Sequence, residues 1–125
     1  MMRKIQICLS ALLIGFIIVA CNAHTERPMT GQQMILDGKQ LYTEYCAECH
    51  QVDGTGWSNL YPNLAGNPIV TLHDPEPLIL TVKYGQGSMM PFGEKLTGQQ
   101  IAEILSYIRN AWGNKAAPIS GRQIH

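Results

Sequence analysis

Three stretches of this chain place apolar residues at helical spacing, and the clearest lies near the C-terminus. Ile101, Ile104, Leu105, Ile108 and Trp112 recur at intervals of three and four, which is one face of a helix. Thr97 followed by Gln100 has capping-box spacing and Gly113 is a stop, so the helix is expected to run from Thr97 to Trp112. A second helix is expected from Gln32 to about Cys46, after a Thr30–Gln33 capping pair. Leu41 and Tyr45 stand one turn apart there, with Gly38 and Tyr42 beside them on the same broad face. A glycine inside a helix costs about 1 kcal/mol against alanine and commonly serves close packing. Gly38 and Tyr42 are therefore candidates for a helix crossing, and Tyr107, beside the C-terminal stripe, is a candidate partner. A third, short helix is expected over 75–84. Asp74 would cap it, Pro75 would sit at its first position, Leu78, Ile79 and Val82 would form its apolar side, and Gly85 would end it.

The segments between these helices carry no period. Gln51 to Asn67 is glycine- and asparagine-rich and seventeen residues long, which is long for a compact domain unless the loop wraps something. Gly85 to Gly93 is a second glycine-rich loop. Asn114 to His125 is polar, contains Pro118 and is expected to lie on the surface as a tail.

The first twenty residues differ from the rest. Arg3 and Lys4 precede a mostly apolar run, Ile5 to Ala20, shorter than the roughly 20 apolar residues a spanning helix needs. The run ends Ile18-Val19-Ala20-Cys21, which resembles the lipobox of bacterial lipoproteins. That resemblance implies a signal peptide over 1–20, cleavage before Cys21, a diacylglycerol on the Cys21 thiol and a lipidated tether over 21–30. The competing reading is an uncleaved membrane anchor with Cys21 a bystander.

The chemistry concentrates in Cys46-Ala47-Glu48-Cys49-His50. Cys-x-x-Cys-His is the attachment signature of a c-type haem. Two thiols at this spacing reach the two vinyl groups of one porphyrin, and the next residue, His50, falls under the iron as its proximal ligand. A zinc site would want a second ligand pair, and neither another Cys pair nor a His-x(3–5)-His is present. A thioredoxin-like dithiol would want a βαβ context. A backbone carbonyl of the 51–67 loop is expected to accept the other ring N–H of His50 and so fix its tautomer. Leu64 is a candidate contact for the macrocycle. Trp57 is either a donor to a haem propionate or a packed aromatic with its N–H in water.

A second iron ligand is sought in Gly85-Gln86-Gly87-Ser88-Met89-Met90-Pro91-Phe92-Gly93, because a thioether is a soft, neutral ligand suited to haem iron. The residue before proline is driven to an extended backbone, so Met90 is expected to project from the loop as the axial ligand. Met89 is its neighbouring competitor, and His73 would give bis-histidine ligation instead.

Composition and charge narrow the partners. The whole chain is formally neutral, and without Arg3 and Lys4 it holds seven basic and nine acidic residues. That balance argues against nucleic acid and against a polybasic membrane surface. Of the four cysteines, Cys8 would leave with the signal, Cys21 would take lipid, and Cys46 and Cys49 would take haem. No pair remains for a disulfide, and one motif means one haem.

Capped helix, Cys-x-x-Cys-His, irregular loop, short helix, Met-Pro loop and amphipathic terminal helix together resemble class I cytochrome c over residues 31–113. The resemblance implies an all-α fold wrapped around one covalent haem c, with the first and last helices crossing at Gly38/Tyr42 and Tyr107. It also implies that Pro62 is the loop proline whose carbonyl supports His50. "GKQLYTEYCAECHQVDGTG", "YPNLAGNP" and "YIRNAWGNKA" further resemble haem domains of the cytochrome subunits of membrane-bound alcohol and gluconate-type dehydrogenases. The implied function is a lipid-anchored electron carrier on the bacterial periplasmic face. It would not be an enzyme, and it would serve a dehydrogenase, a quinol-oxidising complex or a terminal oxidase. The alternatives are a haem subunit of a stable membrane-bound complex, or a peroxidase-like or ligand-binding haem protein with a labile Met90.

Overall fold

A computed structural model describes residues 29–57 and 60–125 of the chain. The expected signal peptide, Cys21 and most of the tether lie outside these residues. Among those described there are four α-helices: α1 Gly31–Tyr45, α2 Ala47–His50, α3 Glu76–Tyr84 and α4 Gly98–Ile108. A single 3-10 turn, Gly121–Gln123, follows. No strand occurs among the described residues; Trp57 pairs with Tyr61 and Gln86 with Met89 as isolated bridges. None of the helices described is long and apolar enough to cross a membrane.

Local chemistry explains where the helices begin. Thr97 caps α4 through a complete box: its Oγ1 accepts from Gln100 N at 3.2 Å, and its N donates to Gln100 Oε1 at 2.9 Å. Thr30 makes only its own half. It accepts from Gln33 N at 3.2 Å, while the Gln33 amide turns to Asp37 at 2.8 Å. Helix α3 begins one residue later than expected, yet Asp74 still accepts from Glu76 N at 3.0 Å.

Helices α1 and α4 cross, and Gly38 is where they touch. A Cβ on Gly38 would overlap the Glu103 carbonyl and stand 3.0 Å from Tyr107 Cβ. The buried line of α1 is Met34, Gly38 and Tyr42, spaced four apart, one above the other. Beyond the crossing, the rings of Tyr42, Tyr107 and Trp112 pack mutually, with centroids 5.1–5.4 Å apart.

Two expectations need correction. Helix α4 does not continue to Trp112 but ends at Ile108 with Arg109 as its cap. Trp112 sits in the left-handed region at φ 53, where its ring reaches the aromatic group and its Nε1 donates to Val52 O at 3.1 Å. The helical spacing of Trp112 was real, but side-chain anchoring, not a continued helix, satisfies it. Nor does the segment after Asn114 lie wholly on the surface. Ile119 is 1% exposed. The Ser106 hydroxyl, itself fully buried, donates to Ile119 O at 3.2 Å and accepts from Ile119 N at 2.9 Å. Two isoleucines five residues apart, Ile119 and Ile124, make neither a helical nor a strand period, so the docking of this strap left no pattern to read.

Asn114 is the second tie between the C-terminal segment and the rest. Its amide donates to Leu64 O at 3.0 Å and Ile108 O at 2.9 Å, and its Oδ1 accepts from Gly66 N at 3.0 Å. At about 1 kcal/mol per hydrogen bond, more where a buried partner is orphaned, Asn114→Ala is expected to cost about 3 kcal/mol. Equilibrium denaturation of the haem-loaded protein measures this; a loss below about 1 kcal/mol would show the ties to be dispensable.

Candidate functional site

The Cys-x-x-Cys-His residues form their own short helix. Tyr42 ends α1 by accepting the N–H of Cys46 at 2.9 Å, and α2 then carries Ala47 to His50. Cys46 and His50 line a cavity of about 240 Å³. Its walls are mostly apolar, from all sides of the fold: Leu64 and Val70 from the loops, Leu78 and Val82 from α3, Ile104 and Ile108 from α4. Cys49 is half-buried at the other end of the turn.

The loop after His50 folds back on it. Gly56 N donates to His50 O at 3.0 Å, and Gly54 O accepts from Leu64 N at 2.7 Å and Ala65 N at 3.0 Å. This brings Pro62 O to 3.0 Å from His50 Nδ1. Gly56 makes the approach possible, because a Cβ there would lie 2.7 Å from Pro62 O and would overlap the Tyr61 carbonyl. With Nδ1–H donating to a carbonyl, the lone pair of the buried imidazole is on Nε2.

The Cys46 thiol is not poised for redox exchange. Burial, and then the neighbouring Cys49, push the Cys46 thiol up to about 12. A catalytic dithiol needs the opposite shift. Among the described residues no group of three or more His, Cys, Asp or Glu side chains is arranged to hold a metal ion, so the zinc alternative gains nothing.

The second-ligand loop is where the structure departs from the sequence reading. Met89, not Met90, lines the cavity and packs against the core. Met90 is 56% exposed and is not part of the wall. The reason lies in the hydrogen bonds on either side. Gln86 N donates to Met89 O at 3.1 Å and Met89 N to Gln86 O at 3.0 Å. After Pro91, Phe92 N and Gly93 N donate to Val82 O and Lys83 O, each at 3.0 Å. These bonds fix Met89 as the inward residue. An extended backbone at Met90, as Pro91 demands, then sends its side chain to the other side. The proline rule specified a conformation, not a direction. Buried Phe92, also in the wall, was the overlooked signal, since it sets the register of the loop.

The remaining candidates separate. Leu64 is in the wall. His73 is exposed and outside it. Trp57 is 66% exposed, outside the wall, and engaged through its backbone with Tyr61. Asn67 and Gln86 add polar groups to the cavity that the sequence did not single out.

Thus one cavity combines the Cys46 thiol, an imidazole with a fixed tautomer and a thioether inside mostly apolar walls, with Cys49 at the haem-attachment spacing on the same short helix as His50. Residues 33–108 match the family model described as cytochrome c oxidase, cbb3-type, subunit III. The chain belongs to this family: it is a c-type cytochrome. Its cofactor is covalent haem c, and with a single attachment motif it is a mono-haem domain of helical, class I type. The cytochrome is 35% identical over 98 residues to the alcohol dehydrogenase (quinone) cytochrome c subunit of Gluconacetobacter polyoxogenes, covering 70% of this chain and 21% of that subunit. It is 35% identical over 113 residues to the fructose dehydrogenase cytochrome subunit of Gluconobacter japonicus, covering 79% of this chain and 23% of the relative. It is also 36% identical over 92 residues to cytochrome c-552 of Thermus thermophilus, covering 62% of this chain and 70% of that protein. The cytochrome therefore spans about a fifth of the matched dehydrogenase subunits and most of a small single cytochrome.

Proposed function

We propose that this cytochrome is a one-electron carrier in which Cys46 and Cys49 would hold the haem by thioethers, and His50 Nε2 and the Met89 sulfur would bind its iron. The supporting observation is that His50, with its Nδ1 committed to Pro62, and Met89 line the same cavity. Bound there, the group supplies Fe(III)/Fe(II) exchange. With an imidazole and a thioether both held for the iron, substrate chemistry at the metal would be disfavoured. Each residue contributes separately. Pro62 keeps the imidazole oriented and basic. Met89 brings a neutral, soft donor that favours the reduced state over a second histidine. The apolar walls exclude water, so little solvent rearranges when the charge changes.

The redox partners in this proposal are a dehydrogenase or quinol-oxidising complex as donor and a terminal oxidase or similar acceptor. The names of the dehydrogenase relatives support a donor of the dehydrogenase class. The chain would be tethered at the periplasmic face by lipid on Cys21. A tether raises effective concentration near membrane partners without requiring a new contact.

The spectrum of the purified, exported protein tests the ligation. A low-spin ferric haem with a methionine-to-iron charge-transfer band is expected, with slow binding of carbon monoxide or cyanide. A resting high-spin haem that binds them quickly would move the protein to the peroxidase-like class. The anchor is tested apart from the haem. Cys21→Ser is expected to move most of the protein from the membrane to the soluble fraction of fractionated cells. Retention in the membrane would point instead to an uncleaved apolar segment.

A further inference from the structure

We propose that Arg109 is a positioning residue that also tunes the cofactor: a permanent positive charge held behind the cavity wall that fixes the 70–72 turn and raises the reduction potential. The inference rests on the haem reading above. Arg109 is 2% exposed. Among the described residues its hydrogen bonds end on backbone carbonyls: Nε to Ala117 O at 3.0 Å, Nη1 to Val70 O at 2.9 Å and Nη1 to Leu72 O at 3.0 Å. None of these acceptors is a carboxylate. Carbonyl dipoles satisfy the donors, but they leave the charge itself without an opposite ion. Arginine cannot escape by losing a proton, as a buried lysine would.

The location gives that charge a target. Arg109 caps α4 at its C-terminal end, where a cation is favoured by the helix dipole. The residue before it, Ile108, is a cavity wall, and so is Val70, whose carbonyl it holds. The guanidinium thus joins two pieces of the wall from behind. A charge buried in low dielectric is screened little by solvent. It disfavours the more positive, oxidised iron and so favours the reduced form. The same fork ties the C-terminal strap at Ala117 to the 70–72 turn, so the tuning charge is part of the clamp.

The test measures reduction potential and absorption spectrum in haem-loaded Arg109→Gln, Leu72→Glu and Leu72→Gln. Arg109→Gln is expected to lower the potential with the low-spin spectrum kept. A glutamine variant at the wild-type potential would overturn the proposal in favour of a purely mechanical clamp. Leu72→Glu separates charge from clamp, and does so even if Arg109→Gln yields no folded protein: it sets a carboxylate on the residue that receives Nη1 while leaving the fork in place. Its potential is expected to fall below that of Leu72→Gln, and equal potentials would overturn the proposal. A wild-type protein without haem would defeat the functional reading, not this one.

Discussion

Met89→Ala is expected to open the iron, whereas Met90→Ala is expected to leave it closed. Losing the Met89 sulfur removes the donor that competes with added ligands. An exogenous ligand binds only the fraction of molecules in which the site is free. A sulfur worth even about 1.4 kcal/mol at the iron holds that fraction near one in ten, so Met89→Ala should raise apparent cyanide or carbon monoxide affinity at least about tenfold. The potential should fall, because a neutral soft ligand no longer favours Fe(II). The charge-transfer band should vanish with it. The mutation also removes a partly buried side chain from the wall, so Met89→Leu serves as the control for packing. It should show the same spectral change with less loss of stability. A normal spectrum and potential in Met89→Ala, together with a disturbed Met90→Ala, would return the role to Met90.

Gly38→Ala should be among the most damaging single changes in the chain. Two effects oppose each other. Alanine is the better helix former by about 1 kcal/mol, which would stabilise α1. Against this, the new methyl would occupy the place of the Glu103 carbonyl. That neighbour is backbone, fixed in the ladder of α4, so no rotamer can yield; one helix must lift off the other. Overpacking of a close contact costs about 1–3 kcal/mol, sometimes more, and here the upper end applies. The expected net loss is about 2 kcal/mol or more, a fall in Tm of roughly 10 °C for a domain of this size. Thermal unfolding of the haem-loaded variant, followed by circular dichroism, measures it. A Tm at or above that of the wild type would mean the helices do not meet at this glycine.

The sequence disclosed those parts of the fold in which chemistry and spacing coincide. The α1 glycine, both threonine caps and the α4 stripe were readable because each pairs a residue type with a fixed offset. The five-residue attachment motif, Cys46 to His50, was readable for the same reason. What escaped depended on long-range hydrogen bonds. Pro62 came from resemblance, not from its own loop, since nothing local shows that Gly54 O will gather Leu64 and Ala65. Which of Met89 and Met90 faces the cavity turned on bonds from the loop to Val82 and Lys83. Arg109 reads as an ordinary surface cation at the polar end of an amphipathic helix. Only the fold shows that three carbonyls from two other segments surround it.

The α1–α4 contact has a bearing on biogenesis. It joins segments on either side of the attachment motif that are far apart in sequence, and α4 carries Ile104 and Ile108 of the cleft wall. While α4 is still being delivered, the cleft lacks Ile104 and Ile108, and neither Trp112 nor the strap is yet in place. Cys46, half-buried once the fold is complete, is then fully accessible. The ligation machinery that forges the carbon–sulfur bonds is thus best served by a nascent, loosely structured substrate. Final docking of the last helix would act as the latch that follows covalent maturation.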